Sequence, residues 1–385
     1  MSYQPPNDAV KNPHEWTASR LGWLALASFE GFGSRTLRKL ARRFGADGSA
    51  ALAVKPDMLE EMGHGTRVIE KFLEFRRATD PLTLAEKLEH ENISFVLFEN
   101  QDYPQILRES SDPPFALFLR GATIPSKQTF VALVGTRDMT PYGKNIAMTL
   151  GRELAQAGIG IVSGLALGID AAAHEGVLDA GGYALAVLGS GVDDATLYPR
   201  HNLGLSRRIL ENGGTIISEF PPGTEGRKFN FPLRNRIIAS LAKATVIVEA
   251  AEASGSLITA HLALDENRDV FAVPGPITSP QSAGTNRLLA MGAIPCLATA
   301  DILLSLGNAP APVQQALPAF DLTEDERTLL KHLTYPRQID ELARELALPV
   351  STVSMAITNL ELYGCITQES GKIAARAHAA RTATD

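Results

Sequence analysis

Residues 130–174, FVALVGTRDMTPYGKNIAMTLGRELAQAGIGIVSGLALGIDAAAH, leave a chain few ways to fold. Phe130–Val134 is short, apolar and β-branched, the composition of a strand buried on both faces, and it stops at Gly135-Thr136-Arg137. The spacing predicts a helix with Thr140 as N-cap and Pro141 at its first position, closed by Gly158. A second strand, Ile159–Val162, ends at Ser163-Gly164, and a second helix follows with Asp170 as its expected N-cap and Gly181 as its stop. Two parallel strands joined by a helix make a right-handed crossover unit. At the carboxyl end of each strand, small residues precede a helix N-terminus, where backbone N–H groups and the helix dipole favour an anion. A phosphate is the expected guest.

The alternation continues. Strands are expected at Ile93–Phe98, Phe115–Leu119, Tyr183–Leu188, Thr215–Ser218, Thr245–Glu249 and Val270–Val273, so residues 91–306 read as an α/β domain with a doubly wound, mostly parallel sheet. The strands are followed in turn by Gly135-Thr136-Arg137, Ser163-Gly164, Gly189-Ser190-Gly191, Glu219–Gly223, Ser254-Gly255-Ser256 and Pro274-Gly275. These loops share the carboxyl edge, where open α/β sheets bind ligands.

The flanks read differently. Residues 1–14 are polar and expected to be disordered. Residues 15–90 are helical, with glycine breaks at Gly31-Phe32-Gly33 and Gly63-His64-Gly65, in the manner of a SAM-like or helix-hairpin-helix module. The stretch Arg35–Phe44 carries Arg35, Arg38, Lys39, Arg42 and Arg43; a packing domain with a solvated basic face is preferred there over a DNA contact. Residues 307–319 are a Pro/Ala-rich linker, and 377–385 a frayed tail. Between them, 320–376 reads as a winged-helix domain: helices Leu322–Leu333, Gln338–Leu346 and Val350–Tyr363, the last capped by Ser351, then a wing of Cys365–Thr367 and Lys372–Ala374. Ser351–Tyr363 has no Lys or Arg, which favours partner docking or a structural role over base reading.

Several chemistries drop out. The net charge of −7 confines any nucleic-acid contact to a local basic face. Only two cysteines occur, Cys296 and Cys365, so no disulfide framework or zinc site is expected and a reducing cytoplasm fits. No apolar run reaches the roughly 20 residues of a membrane span, and no signal peptide is legible. The G-x-G-x-x-G fingerprint, the P-loop, H-E-x-x-H and G-x-S-x-G are all missing. With no nucleophile, base and orienter in evidence, the expectation is a binding protein without cofactor or metal.

What could bind is concentrated in 223–240, GTEGRKFNFPLRNRIIAS, where Arg227, Lys228, Arg234 and Arg236 interleave with Phe229 and Phe231. Guanidinium groups neutralise phosphates, and aromatic faces take unstacked bases at about 1–3 kcal/mol each. In the competing reading the two rings pack under the loop and the arginines pair with Glu219 or Glu225. Arg137 is expected at the same edge, which favours a single-strand channel wall. Ser163, Gly164 and Gly168 would offer N–H groups to a phosphate. Asp170 and His174, four apart on one helix face, are expected to make a structural contact, with acid–base work as the alternative. Arg200 and Asn202 are expected to face the groove, and Tyr198-Pro199 to shape the turn.

An ordered series of motifs now accumulates: VGTR at 134–137, SGLALGIDAAAH at 163–174, LGSGVD at 188–193, YPRHN at 198–202, SEFPPG at 218–223, FPLRNRIIASL at 231–241, VIVEA at 246–250, SGSLITA at 254–260 and VPG at 273–275. In this order they resemble the DNA-processing protein A (DprA/Smf) family over essentially the whole chain. The resemblance implies an extended Rossmann-like domain that binds single-stranded DNA without cutting it, protects incoming DNA and helps load the RecA recombinase during natural transformation. It puts Gly135, Thr136 and Arg137 in the family's phosphate-facing turn, Phe231, Pro232, Arg234, Asn235 and Arg236 in its F-P-x-R-N-R segment, and Ser254, Gly255 and Ser256 on the same edge. It implies a homodimer through about Leu288–Leu304. Where some members carry a basic residue after the Y-P-x-x-N loop, this chain has Gly204, and Arg200 or Arg207 is the expected substitute. The runner-up is a nucleotide-hydrolysing enzyme of the phosphoribohydrolase type, whose P-G-G-x-G-T-x-x-E signature Ser254-Gly255-Ser256-Leu257 does not reproduce. A DNA-independent scaffold is the third reading.

Overall fold

Nine strands form the sheet of a computed structural model that describes residues 15–307, 323–333, 337–362, 365–369 and 372–375. The expected disordered N-terminus, nearly all of the linker and the whole tail lie outside the described residues. The strands are β1 (Ile93–Leu97), β2 (Ala116–Gly121), β3 (Phe130–Val134), β4 (Gly160–Ser163), β5 (Ala184–Leu188), β6 (Thr215–Ser218), β7 (Ala244–Ile247), β8 (Asp269–Ala272) and β9 (Ile294–Pro295). Their order is β1-β2-β6-β5-β4-β3-β7-β8-β9, parallel from β6 to β9, with β1 and β2 added antiparallel at one edge. From β3 the chain winds outward through β4, β5 and β6. It then returns to β7 beside β3 and winds the other way. The crevice between the carboxyl ends of β3 and β7 is therefore the topological switch point, where open α/β sheets bind ligands.

Side chains alternate between two cores, as a period of two requires. Val131 and Leu133 join Ile161, Ala186 and Leu188 on one face; Ala132 and Val134 join Val162, Val187 and Ile247 on the other. The first core is continuous with the N-terminal helices, through Trp23, Leu24, Phe95 and Phe118.

Six helices precede the sheet: Ala18–Ser28, Ser34–Phe44, Gly48–Leu52, Pro56–Glu61, Thr66–Ala78 and Pro81–His90. Phe32 lies 4.9 Å from Phe29 and 4.8 Å from Phe72, so the Gly31-Phe32-Gly33 break turns its phenylalanine into the core. Ser34–Phe44 is bolted to the sheet. Its Ser34 hydroxyl accepts from the Phe115 N–H at 2.7 Å and donates to the Glu219 carboxylate, while Arg38 donates to Asp112 and to the Pro113 carbonyl. The helix buries Leu37 and Leu40 and leaves Arg35, Lys39, Arg42 and Arg43 exposed.

The described residues from 323 onward form a second compact unit with the winged-helix order: helices Glu324–Lys331, Ile339–Glu345 and Val350–Leu362, then β10 (Ile366–Glu369) antiparallel to β11 (Lys372–Ala375). Leu329, Leu342, Val353 and Leu360 are its core. Ser351 lies inside the third helix instead of capping it, because that helix begins at Val350. No helix among the described residues is long and apolar enough to cross a membrane.

Candidate nucleic-acid interface

The turn after β3 is tied to the end of β7, where the Thr136 N–H donates to the Glu249 carbonyl at 2.7 Å. This turn projects Arg137 outward. Its side chain is exposed, and its guanidinium lies 5.0 Å from the centre of the Phe231 ring. The Tyr198 ring lies 5.5 Å from the Phe231 ring, tilted 33° to it. Cation, ring and ring line a cavity of about 580 Å³ together with Gly135, Lys228, Arg234, Asn235 and the loop Ser254-Gly255-Ser256. Residues far apart in the chain thus meet at the switch point.

The two helix N-termini expected to take a phosphate are already occupied, which corrects that expectation. Glu249 is buried at the start of the helix Pro141–Gln156, accepting from the Thr140 N–H at 2.9 Å and the Thr140 hydroxyl at 2.5 Å. A Cβ at Gly143 would lie 2.1 Å from its carboxylate, so only glycine fits there. At the next helix, Ile169–Asp179, Gly168 at φ +80° is the N-cap and Asp170 sits one residue past its start. Asp170 is not the cap. Its carboxylate instead folds back to accept from the Gly164 N–H at 3.0 Å, and from Ala166 and Gly135. Both would-be anion sites already hold an internal carboxylate.

Arg234 answers Asp170. It is buried, and its guanidinium donates to the Gly164 carbonyl at 2.7 Å, to the Val187 carbonyl and to the Asn235 side chain at 3.1 Å. Burial lowers its pKa to about 10, Asp170 opposes the shift and Arg137 adds to it. Burial likewise raises the Asp170 carboxyl, against the pull of Arg234 and the three N–H groups. The expected Asp170–His174 contact is not formed. His174 is fully buried with neither ring nitrogen hydrogen-bonded, and burial, helped by Arg234, drives its pKa to about 3.

Other expected contacts are spent elsewhere. The Ser163 hydroxyl is buried and donates to the Leu133 carbonyl, and the Gly164 N–H is taken by Asp170. Asn202 is buried, its amide donating to the carbonyls of Leu165 and Ala166 at 2.9 and 3.1 Å. It holds the loop before Gly168 and does not face the groove. Arg200 donates to the Asp194 carbonyl and Arg207 pairs with the Asp194 carboxylate at 2.8 Å, so both cations nearest Gly204 turn to one neighbour. Arg236 pairs with Glu219 and with Asp112, as the competing reading of that segment anticipated for Glu219. Arg227 reaches Glu30 at 3.3 Å. Phe229 does not pack under the loop, being 62% exposed. Two features escaped the sequence: Glu249 as an internal anion, signalled only by one carboxylate closing an apolar strand, and Tyr198 as a second ring on Phe231.

With this geometry in place, likeness to known proteins is decisive. Residues 94–307 match the family model "DNA recombination-mediator protein A". The chain belongs to that family. Residues 301–372 match the DprA winged helix domain. Protein Smf of Synechocystis is 34% identical over 91% of this chain and 96% of its own, and Protein Smf of Escherichia coli is 37% identical over 82% and 85%. The fold resembles DNA processing protein A from Streptococcus pneumoniae, with a TM-score of 0.64 and 32% identity over 76% of this chain and 98% of that one. It also resembles the Helicobacter pylori family member, described for its single-stranded DNA binding mode, with a TM-score of 0.50 and 33% identity over 56% of this chain and 96% of that one.

Proposed function

We propose that this family member holds single-stranded DNA in the crevice between β3 and β7, shields it and passes it to the RecA recombinase in the cytoplasm, without chemistry on the strand and without a cofactor. The observation that carries the reading is Arg137, exposed and seated on Phe231 with Tyr198 behind it. A phosphate meets the outer face of the guanidinium while an unstacked base meets a ring. Duplex DNA cannot offer its bases to rings without melting. Lys228 adds a second exposed cation, and Gly135, Asn235 and 254–256 line the walls. Arg234 supports this from beneath, its buried guanidinium donating to the Gly164 carbonyl and to the Asn235 side chain in the cavity wall.

Titration of labelled oligo-dT and of duplex at about 50 and 200 mM salt tests the reading. Oligo-dT is expected to bind far tighter than duplex and to weaken steeply with salt. Equal binding of duplex, or salt-insensitive binding, refutes it. RecA loading is tested by whether the protein speeds RecA filament formation on strands already covered by a single-strand binding protein.

The proposed homodimer rests on a separate surface. Ile277, Leu297, Met291 and Leu304 are large, apolar and exposed late in the sheet domain, around the exposed edge strand β9. Such a patch favours a protein partner. Leu297→Glu is expected to give a monomer by light scattering at concentrations where the parent is dimeric; an unchanged mass refutes the surface.

A further inference from the structure

The first turn of the helix Asn230–Leu241 stands between two cavities. Phe231, Arg234 and Asn235 face the crevice already described; Phe229, Leu233 and Arg236 face a second cavity of about 670 Å³. The far wall of the second is the start of Ser34–Phe44, with Arg35 on it. We propose that a single strand bound at Arg137 continues over this turn, past the Phe229 ring, and onto the basic face of Ser34–Phe44. The proposal deepens the reading above and depends on it.

Charge accounting within the second cavity supports a polyanion. Its acids are already matched: Glu219 by Arg236, Asp112 by Arg236 and Arg38, and Glu30 by Arg227. Arg35 has no such acid among the described residues. Beyond it, Lys39 and Arg42 follow at i+4 and i+7 on the same face, with Arg43 beside them, and the helix contains no acidic residue. All four are exposed, and none forms an ion pair among the described residues. Four unmatched cations in a row are out of keeping with a chain of net charge −7. A merely solvated face would also lack the aromatic approach that Phe229 provides, 62% exposed and without a ring partner among the described residues. The helix cannot swing away, because Ser34 and Arg38 fix it to the sheet. Its eleven residues span about 16 Å, room for roughly five stacked nucleotides.

The test compares oligo-dT of about 6 nucleotides, enough for the crevice alone, with one of about 25. In the triple variant Arg35→Gln, Lys39→Gln, Arg42→Gln, three lost phosphate contacts should lower affinity for the longer oligomer about 50-fold at 0.15 M salt and reduce the salt slope by about 2. The advantage of long over short should collapse, and Phe229→Ala should move it in the same direction. Arg137→Ala, by contrast, should weaken both lengths. Unchanged binding of the longer oligomer overturns the proposal, as does an equal loss at both lengths. A loss confined to duplex also overturns it, since the helix would then be a duplex contact. If the parent itself fails to bind oligo-dT, the crevice reading falls first and takes the extension with it. The substituted side chains are exposed, and an unchanged melting curve verifies the fold.

Discussion

Arg137→Ala isolates one exposed charge from everything that holds the molecule together. The side chain makes no ion pair among the described residues, and its one contact of note is the Phe231 ring at 5.0 Å. Losing an exposed cation–π contact costs about 0.5–1 kcal/mol, which in a unit of this size lowers Tm by about 4 °C at most. A charge-assisted contact to phosphate is worth about 1.5–3 kcal/mol, so affinity for oligo-dT should fall about 10- to 150-fold. The slope of log K against log salt should become shallower by about 0.7, one phosphate's share on a single strand. Arg137→Lys keeps the charge but not the planar stack, and should fall between parent and alanine variant. Fluorescence anisotropy across a salt series, paired with a melting curve, reads all three. Alanine-variant affinity and slope equal to the parent's would refute the reasoning, and so would an affinity loss accompanied by a large drop in Tm.

Arg234→Met should act through stability, because it strands the buried carbonyls of Gly164 and Val187 and removes the charge that opposes Asp170; two charge-assisted hydrogen bonds are worth about 3–6 kcal/mol, or roughly 6–24 °C in Tm. Adding Asp170→Asn should recover part of that loss, and an unchanged Tm in the single variant contradicts the assignment. For His174, the unfolded imidazole takes up its proton near pH 6.5, whereas the folded one waits until about 3. Stability should therefore fall as pH drops through that window, by up to about 1.4 kcal/mol per pH unit, and His174→Leu should flatten denaturation midpoints between pH 6 and 4. Truncation after Pro310 should leave oligo-dT affinity within about twofold, since the exposed face of Val350–Leu362 (Val350, Ser351, Met355, Thr358 and Glu361) carries no cation to lose. Its one amide of the right type, on Asn359, already donates to Glu326 at 2.9 Å.

The sheet was legible because strands buried on both faces leave continuous apolar runs, and β3 and β6 fall on the expected residues. β9 was not: two exposed residues, one of them Pro295, leave no periodicity to read. The candidate site was legible only in part. Arg137, Lys228, Phe231 and 254–256 meet in one cavity, as their shared edge suggested. Arg234 and Arg236 sit three and five residues after Phe231, yet one is locked under the surface by two carbonyls and the other by Glu219. Residue type alone does not separate a guanidinium that faces solvent from one that faces a buried carbonyl. Asp170 failed as an N-cap for a comparable reason: the left-handed turn at Gly168 starts the helix earlier and frees the carboxylate to fold back on its own loop.

The carboxylates of Glu249 and Asp170 have a bearing on selectivity. In a fold built for mononucleotides, the amides at these helix ends would embrace a diphosphate and draw ATP or a nicotinamide cofactor into the crevice. Here each cradle is stoppered from inside by a carboxylate that already takes its N–H groups, which leaves few for the phosphates of a compact guest. A long strand with one charge per residue need only touch the rim, where the cations stand. On the proposed reading, the same shell is thereby closed to the small nucleotides dissolved around it and left open to the polymer.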